Sequence, residues 1–245
     1  MNIALGICGP SVLILLWYVV GEWGFINELY IPRFEHVVVA LIDEFTQGKA
    51  VAYIAHTIYR SVAAFLIAAT LAIPLGALIG VNTYLKSSTR SIIDFFRSLP
   101  APTLFPIFLL FFGLGDDAKI SSAACYVFWI LLKQTTLAIT QVSPLRMQVA
   151  RIFGASKWQT IHMIVLRDAT PQIIAALRTV LPLSLMVVII GEIFLGGSRG
   201  IGYEIINSYT SYRIPKMYAY IVITGMVGFL FDYVFEIVQK KCVRM

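Results

Sequence analysis

Charge is scarce in this chain. Asp, Glu, Lys and Arg together supply 13% of its 245 residues, against about a quarter in an ordinary soluble domain. With 59% hydrophobic residues and a mean hydropathy of +0.83, this excludes a soluble globular protein and leaves an integral membrane protein. Cysteine is nearly absent: Cys8, Cys125 and Cys242 have neither CxxC nor metal-ligand spacing, so they read as free thiols. Histidine is equally sparse. His36, His56 and His162 form no HxxxH pair and none stands clearly mid-span, which argues against an intramembrane enzyme. No catalytic residue and no metal ligand is assigned. The P-loop pattern GxxxxGK[ST] is missing, so ATP is not bound here in that way. "GGSRGIG" contains a superficial G-x-x-G-x-G, but it follows a hydrophobic stretch and opens no βαβ unit, so it reads as an outer re-entrant turn. The net charge of +6 fits orientation-setting loops in a membrane protein better than nucleic-acid binding.

What is present is a series of long apolar runs in one membrane domain covering residues 1–245. Six spans are expected, near Ile3–Val20, Ser61–Ile79, Ile92–Phe112, Ile120–Ile139, Pro171–Leu195 and Tyr218–Val238. The first lacks a basic leader and a small-residue cleavage site, so it reads as a retained span and not a signal peptide. The third is interrupted by Pro100, Pro102 and Pro106. Between the first two, Phe34, Val37, Val38, Leu41 and Phe45 recur at helical spacing, predicting an amphipathic surface helix over Pro32–Phe45. Gly76 and Gly80 form a small-xxx-small face, and Pro74 and Pro182 permit kinks. With both termini in the cytoplasm, the inner loops hold nine Lys and Arg and the outer loops seven, a slight bias.

One segment fits neither a span nor a floppy loop. "SPLRMQVARIFGASKWQTIHMIVL" starts with Ser143 before Pro144, an N-cap followed by proline at the first helical position. Leu145, Val149, Ile152 and Phe153 make one apolar stripe, and Gly154 stands where a helix ends in a left-handed residue. Ser156 and Gln159 match a capping box opening a second helix, with Trp158, Ile161, Val165 and Leu166 as its stripe. Two short amphipathic helices joined at a glycine need somewhere to bury their apolar faces. The membrane surface, the protein's own helix ends and a cytoplasmic partner all remain open on pattern alone.

Here the residues resemble a family. "QVARIFGASKWQTIHMIVL" is similar to the EAA loop of ABC importer permeases, matching at Ala150, Gly154, Ile164 and Leu166. "RSLPAPTLFPIFLLFFGLGDDAKI" resembles the third-span pattern of the nitrate, sulfonate and taurine branch through Arg97, Pro100, Pro106, Phe112, Gly113 and Gly115. "GEIFLGGSRGIGYEI" resembles the same branch through Glu192, Gly200, Gly202 and Tyr203. The chain departs where the family glutamate is Gln148, the next alanine is Val149 and the motif proline is Arg167, with Pro171 four residues on.

The resemblance implies an all-α type I ABC importer permease with cytoplasmic coupling helices near residues 144–167, in the bacterial cytoplasmic membrane. It implies a transport subunit and not an enzyme, carrying a small solute, foremost a small anion such as nitrate, a sulfonate, taurine or bicarbonate, with small heterocycles also within the family's range. The implied partners are two ATP-binding subunits holding ATP and Mg, a second copy or a paralogous permease, an extracytoplasmic solute-binding protein and membrane lipid. Coupling would fall to Gln148, Ala150, Phe153, Gly154, Ala155, Ser156 and Trp158. The path candidates are Arg178, Ser184 and Glu192, beside Lys133 and Asp232; for each, a structural ion pair or a snorkelling helix end is the alternative. A secondary transporter or channel without an ATPase is the competing reading, but no internal repeat supports it.

Overall fold

The computed structural model describes residues 3–23, 27–197 and 199–243, and among them it contains helices and no β-strand. In chain order the helices are α1 (Ile3–Glu22), α2 (Phe34–Thr46), α3 (Lys49–Val81), α4 (Thr83–Ser98), α5 (Phe105–Phe112), α6 (Asp116–Thr140), α7 (Pro144–Ile152), α8 (Lys157–Thr160), α9 (Leu166–Phe194), α10 (Ile201–Thr210) and α11 (Ile214–Val243). Four helices are long and apolar enough to cross a membrane: Lys49–Val81, Asp116–Thr140, Trp158–Phe194 and Ile214–Ile237. The count becomes five if a bent pair forms one crossing. Six were expected, and the difference has two sources.

The first source is the third expected span. Pro100 forces Leu99 into extended backbone (φ −70°, ψ 130°), because a residue before proline is driven out of the helical region. The chain bends by 98° between α4 and the helical stretch Ala101–Phe112. At about 1.5 Å per residue, α5 spans roughly 12 Å, too little for a hydrocarbon core of about 30 Å. The second source is α1: it runs Ile3–Glu22, the 20 residues a crossing takes and close to the expected first span, but only its stretch Ser11–Glu22 enters that count.

The residues fall into two compact units. One comprises residues 1–56 and 198–227, the other residues 57–197 and 228–245. In the first, α2 starts two residues later than its periodicity suggested and presents Val37 and Glu44 inward. Lys216 Nζ lies 2.7 Å from Glu44 Oε1 and 2.9 Å from Glu204 Oε1, and the Tyr220 hydroxyl donates to Glu44 Oε2 at 2.6 Å. This triad, with both carboxylates buried and Lys216 half-buried, ties α2, α10 and α11. The indole of Trp17 donates to the Pro32 carbonyl at 3.0 Å and packs against Phe34 and Tyr218, fixing α1 to the same unit. Burial pushes the Glu44 carboxyl up, but the hydrogen bonds from Lys216 and Tyr220 outweigh it and hold the group below the usual carboxylate range. A depressed folded value contributes stability above the ordinary Glu value of about 4.3, lost as pH falls through the folded value. The Glu44→Gln variant should therefore lose less stability than wild type on acidification to about pH 3, read from melting in detergent. Parallel acid profiles for the two proteins would remove Glu44 from the account.

In the second unit, α6 and α9 pack along their lengths. Near one end, Ala64, Ala118, Ala123, Ala124, Val187 and Val188 are buried with Phe105 and Leu195. Near the other, Ala138, Ile139, Val142, Val165, Ala169 and Ile173 form a second cluster. Alanine and glycine let helix axes approach where lipid supplies no hydrophobic drive, so contact surface must do the holding. Large apolar side chains point outward instead: Leu66, Ile67, Leu71, Leu75 and Leu78 on α3, and Phe229, Leu230, Tyr233 and Val234 on α11. In a membrane these are lipid-facing stripes.

Several loop cations prove to be helical. α3 begins at Lys49, not Ser61, which places Arg60 inside it, buried; Lys119 is buried in the first turns of α6, and Lys216 is part of the Glu44–Glu204 triad. Those charges serve helix–helix contacts, so the loop-charge bias does not carry the orientation argument.

Candidate functional site

The glycine elbow is built as the sequence implied. α7 starts at Pro144 directly after Ser143. Gly154 has φ +74°, a left-handed conformation that favours glycine. The Ala155 amide donates to the Ala150 carbonyl at 3.0 Å, the long-range bond of a Schellman motif. The next helix is opened reciprocally: the Ser156 amide donates to Gln159 Oε1 at 2.8 Å and the Gln159 amide donates to Ser156 Oγ at 3.2 Å. Arg146 on α7 pairs with Asp168 on α9, clasping the two arms.

The second arm differs from expectation. α8 passes through a π-helical segment, Ile161–Val165, straight into α9, so Trp158–Phe194 is one continuous helix of 37 residues. Arg167, where the family motif has proline, leaves the backbone donor in place and lets the helix run on. The π turn also changes the phase of side chains before it relative to those after it. Val165 turns inward, 4% exposed, while Trp158 is 71% exposed and stacks on His162. The predicted single stripe is thus divided between two directions.

Of the predicted coupling residues, Ala150 is buried under the elbow and Ala155 is half-buried. Gln148, Phe153, Gly154, Ser156 and Trp158 are exposed. Leu145, Val149, Ile152, Phe153 and Met163 all remain uncovered, Phe153 at 85% exposure. The chain does not fold this stripe onto its own helix ends. Leu145, Val149, Phe153, Met163 and Ile164 line a recess of about 570 Å3 in the fork of the two arms.

The predicted path residues lie elsewhere in the same unit. Arg178 holds Asp232 through two bonds of 2.8 Å, with Glu236 at 3.2 Å and Gln239 at 3.4 Å, fastening α9 to α11. Asp232 is therefore the partner of Arg178. Ser184 is fully buried and its hydroxyl reaches the Ser61 carbonyl of α3 at 3.1 Å. Glu192, also fully buried, accepts from Thr57 Oγ1 at 2.9 and 3.0 Å and from Arg60 Nη1 at 2.5 Å. Arg60 also reaches Asp116 through Nε at 3.0 Å and Nη2 at 2.7 Å. Lys133 pairs with Asp94 at 2.9 Å. The Arg60–Glu192 link was not visible in the sequence, because 132 positions separate its members. The available signal was an arginine three residues after Thr57 in an otherwise apolar run.

The chain is similar to known proteins. The chain is 26% identical over 239 residues to a putative aliphatic sulfonates transport permease protein, SsuC, of Bacillus subtilis, covering 98% of this chain and 86% of that one. It is 22% identical over 245 residues to the taurine transport system permease protein TauC of Escherichia coli, with 98% and 89% coverage. A chain of the MetNI methionine ABC transporter, solved in inward-facing conformations, matches with a TM-score of 0.72 at 18% identity, covering 81% of this chain and 98% of that one; at that identity the likeness is one of fold. The description "binding-protein-dependent transport system inner membrane component" matches residues 72–244, well over half the chain, and the chain belongs to that family of membrane permeases.

Proposed function

We propose that this permease subunit forms, with a second copy or a paralogous permease, the membrane path of an ATP-driven importer for a small anion. The solute class is supported by the relatives, whose names specify aliphatic sulfonates, taurine and, for a Synechococcus elongatus permease 29% identical over 180 residues, bicarbonate. Two ATP-binding subunits hold ATP and Mg, and an extracytoplasmic binding protein delivers solute. Both termini and the elbow lie in the cytoplasm.

The observation that carries this reading is the uncovered apolar crest of the elbow. Phe153, Trp158 and Ile152 stand out from a rigidly capped turn and have no cover from the chain itself. A cleft on an ATPase subunit gives them one. Gly154, Ala155 and Ser156 set the turn, Ala150 seats α7, and the Gln148 amide lies exposed on that helix, where the family glutamate would place a charge. Because the arm beyond the elbow is a single helix to Phe194, displacement of the Trp158 end moves the span itself with no intervening joint. Nucleotide-driven closure of the ATPases would then bias the permease between two states, as any ligand that prefers one state does. Arg178, Ser184 and Glu192, the path candidates, also keep α9 in register with α11 and α3.

Phe153→Asp and Trp158→Asp should each weaken association with the transporter's ATPase at least about tenfold, as loss of a buried aromatic anchor does. Co-purification of the co-expressed complex and solute-stimulated ATP hydrolysis read the effect, with lipid-facing Phe229→Ala as the unaffected control. Full coupling in both aspartate variants would end the docking assignment.

A further inference from the structure

The outward faces of the membrane helices are not alike. On α3 and α11 they are bulky and apolar. On the elbow-proximal halves of α6 and α9 the outer face instead carries half-buried Gln134 and exposed Gln172, Ala175 and Thr179, with Leu137 among them and Gln141 capping the end of α6. These line a groove of about 360 Å3 between two helices that are both long and apolar enough to cross a membrane. Among the described residues, no hydrogen bond engages the three glutamine amides. An amide facing hydrocarbon with no partner is strongly disfavoured, so polar side chains at membrane depth face protein or water. Nearby charges are already engaged: Lys133 by Asp94, Arg178 by Asp232.

The groove does not stop at the helix ends. An adjoining cavity of about 320 Å3 shares Ala138, Gln141 and Gln172 with it and adds Arg146, Arg167 and Asp168. Arg146 is paired with Asp168, while Arg167 is exposed and has no ion-pair partner among the described residues. The series runs from uncharged amides to an arginine-bearing mouth beside the elbow.

We propose that this α6–α9 groove is a water-filled section of the solute path, in which glutamine amides at 134, 141 and 172 donate hydrogen bonds to an oxyanion and Arg167 receives it at the mouth. Donors without fixed charge suit transit, since a site that conducts must hold its solute weakly enough to release it. The inference rests on the small-anion permease reading above, but its first test does not depend on the solute.

Single cysteines at Gln134, Gln172 and Thr179, and at lipid-facing Leu71 and Phe229, are placed in the assembled transporter. Membrane vesicles are then treated with sulfonatoethyl methanethiosulfonate, a charged thiol reagent. The groove cysteines should react at least about tenfold faster than the lipid-facing pair, because only a hydrated thiol ionises to the reactive thiolate. Ethanesulfonate, nitrate or bicarbonate should slow labelling in the groove and nowhere else. Labelling no faster than at Leu71 overturns the groove as a path. Groove cysteines that resist the reagent but crosslink to a second permease copy overturn it in favour of a dry subunit seam. Fast labelling that none of the three anions slows leaves the wet path standing and overturns the anion assignment instead.

Discussion

Arg60→Met is expected to destabilise the assembled protein by about 3–5 kcal/mol, the cost of leaving one member of a buried ion pair without its partner. Glu192 is fully buried, and its carboxylate takes a 2.5 Å bond from Arg60 and two from Thr57. Removing the guanidinium leaves a buried carboxylate with hydroxyl donation from Thr57 and the field of the neighbouring buried Lys119 in place of a hydrogen-bonded cation. Glu192→Gln should cost less, because Arg60 keeps Asp116 through bonds of 3.0 and 2.7 Å. The double variant Arg60→Met/Glu192→Met should recover most of the loss, since well-packed apolar groups replace buried ion pairs at little net cost. Thermal unfolding of the complex in detergent measures all three. A single Arg60→Met variant within about 1 kcal/mol of wild type, or a double variant no better than the single, would show that the pair is not what holds α3 to α9.

This network also marks where sequence reasoning stopped. Each partner was visible as an ionisable residue in or beside an apolar run, but the pairing depends on which faces of α3, α6 and α9 meet. Periodicity does not rank those faces when both are apolar. The same limit explains Arg178. Its position in a span invited a path role, and its bonds to Asp232 and Glu236 come from a helix more than fifty residues downstream. Local chemistry was more legible. The Ser156–Gln159 box, the left-handed Gly154 and the amphipathic helix before α3 were all written in residues close together, and all are present. Proline was read correctly as the breaker of the third expected span, and the structure gives that break its angle, a 98° turn at Pro100. The π segment at Ile161–Val165 left no mark in the sequence, because a one-residue change of helical phase needs no special residue.

Gly76→Ala and Gly80→Ala should each cost about 1–3 kcal/mol, the usual penalty for forcing extra volume into a packed interior. The small-xxx-small spacing was a sequence expectation, and the structure supplies its contact: a Cβ at Gly76 would lie 2.7 Å from Thr135 Cβ, and one at Gly80 would lie 2.6 Å from Ile139 Cβ. Neither neighbour can yield by rotating a flexible tip, since the clash is at the root of a β-branched side chain and beside the Leu132 and Thr136 carbonyls. α3 must therefore move away from α6, which loosens the Thr136 contact to the Gly76 carbonyl at 3.4 Å and the Ile139 cluster below it. That cluster also seats Val165 and Met147, so the strain reaches the elbow as well as the bundle. Opening space on the opposite wall discriminates this from a general dislike of substitution. Gly80→Ala should cost less in an Ile139→Gly background, which removes both the Cβ and the Cγ2 it would strike, than in wild type, whereas Gly225→Ala, where no atom lies within 4 Å of an added Cβ, should be close to neutral. Melting temperatures of wild type, both single variants, the double variant and Gly225→Ala decide it, and a Gly80→Ala penalty unchanged in the Ile139→Gly background would refute close α3–α6 packing as the cause.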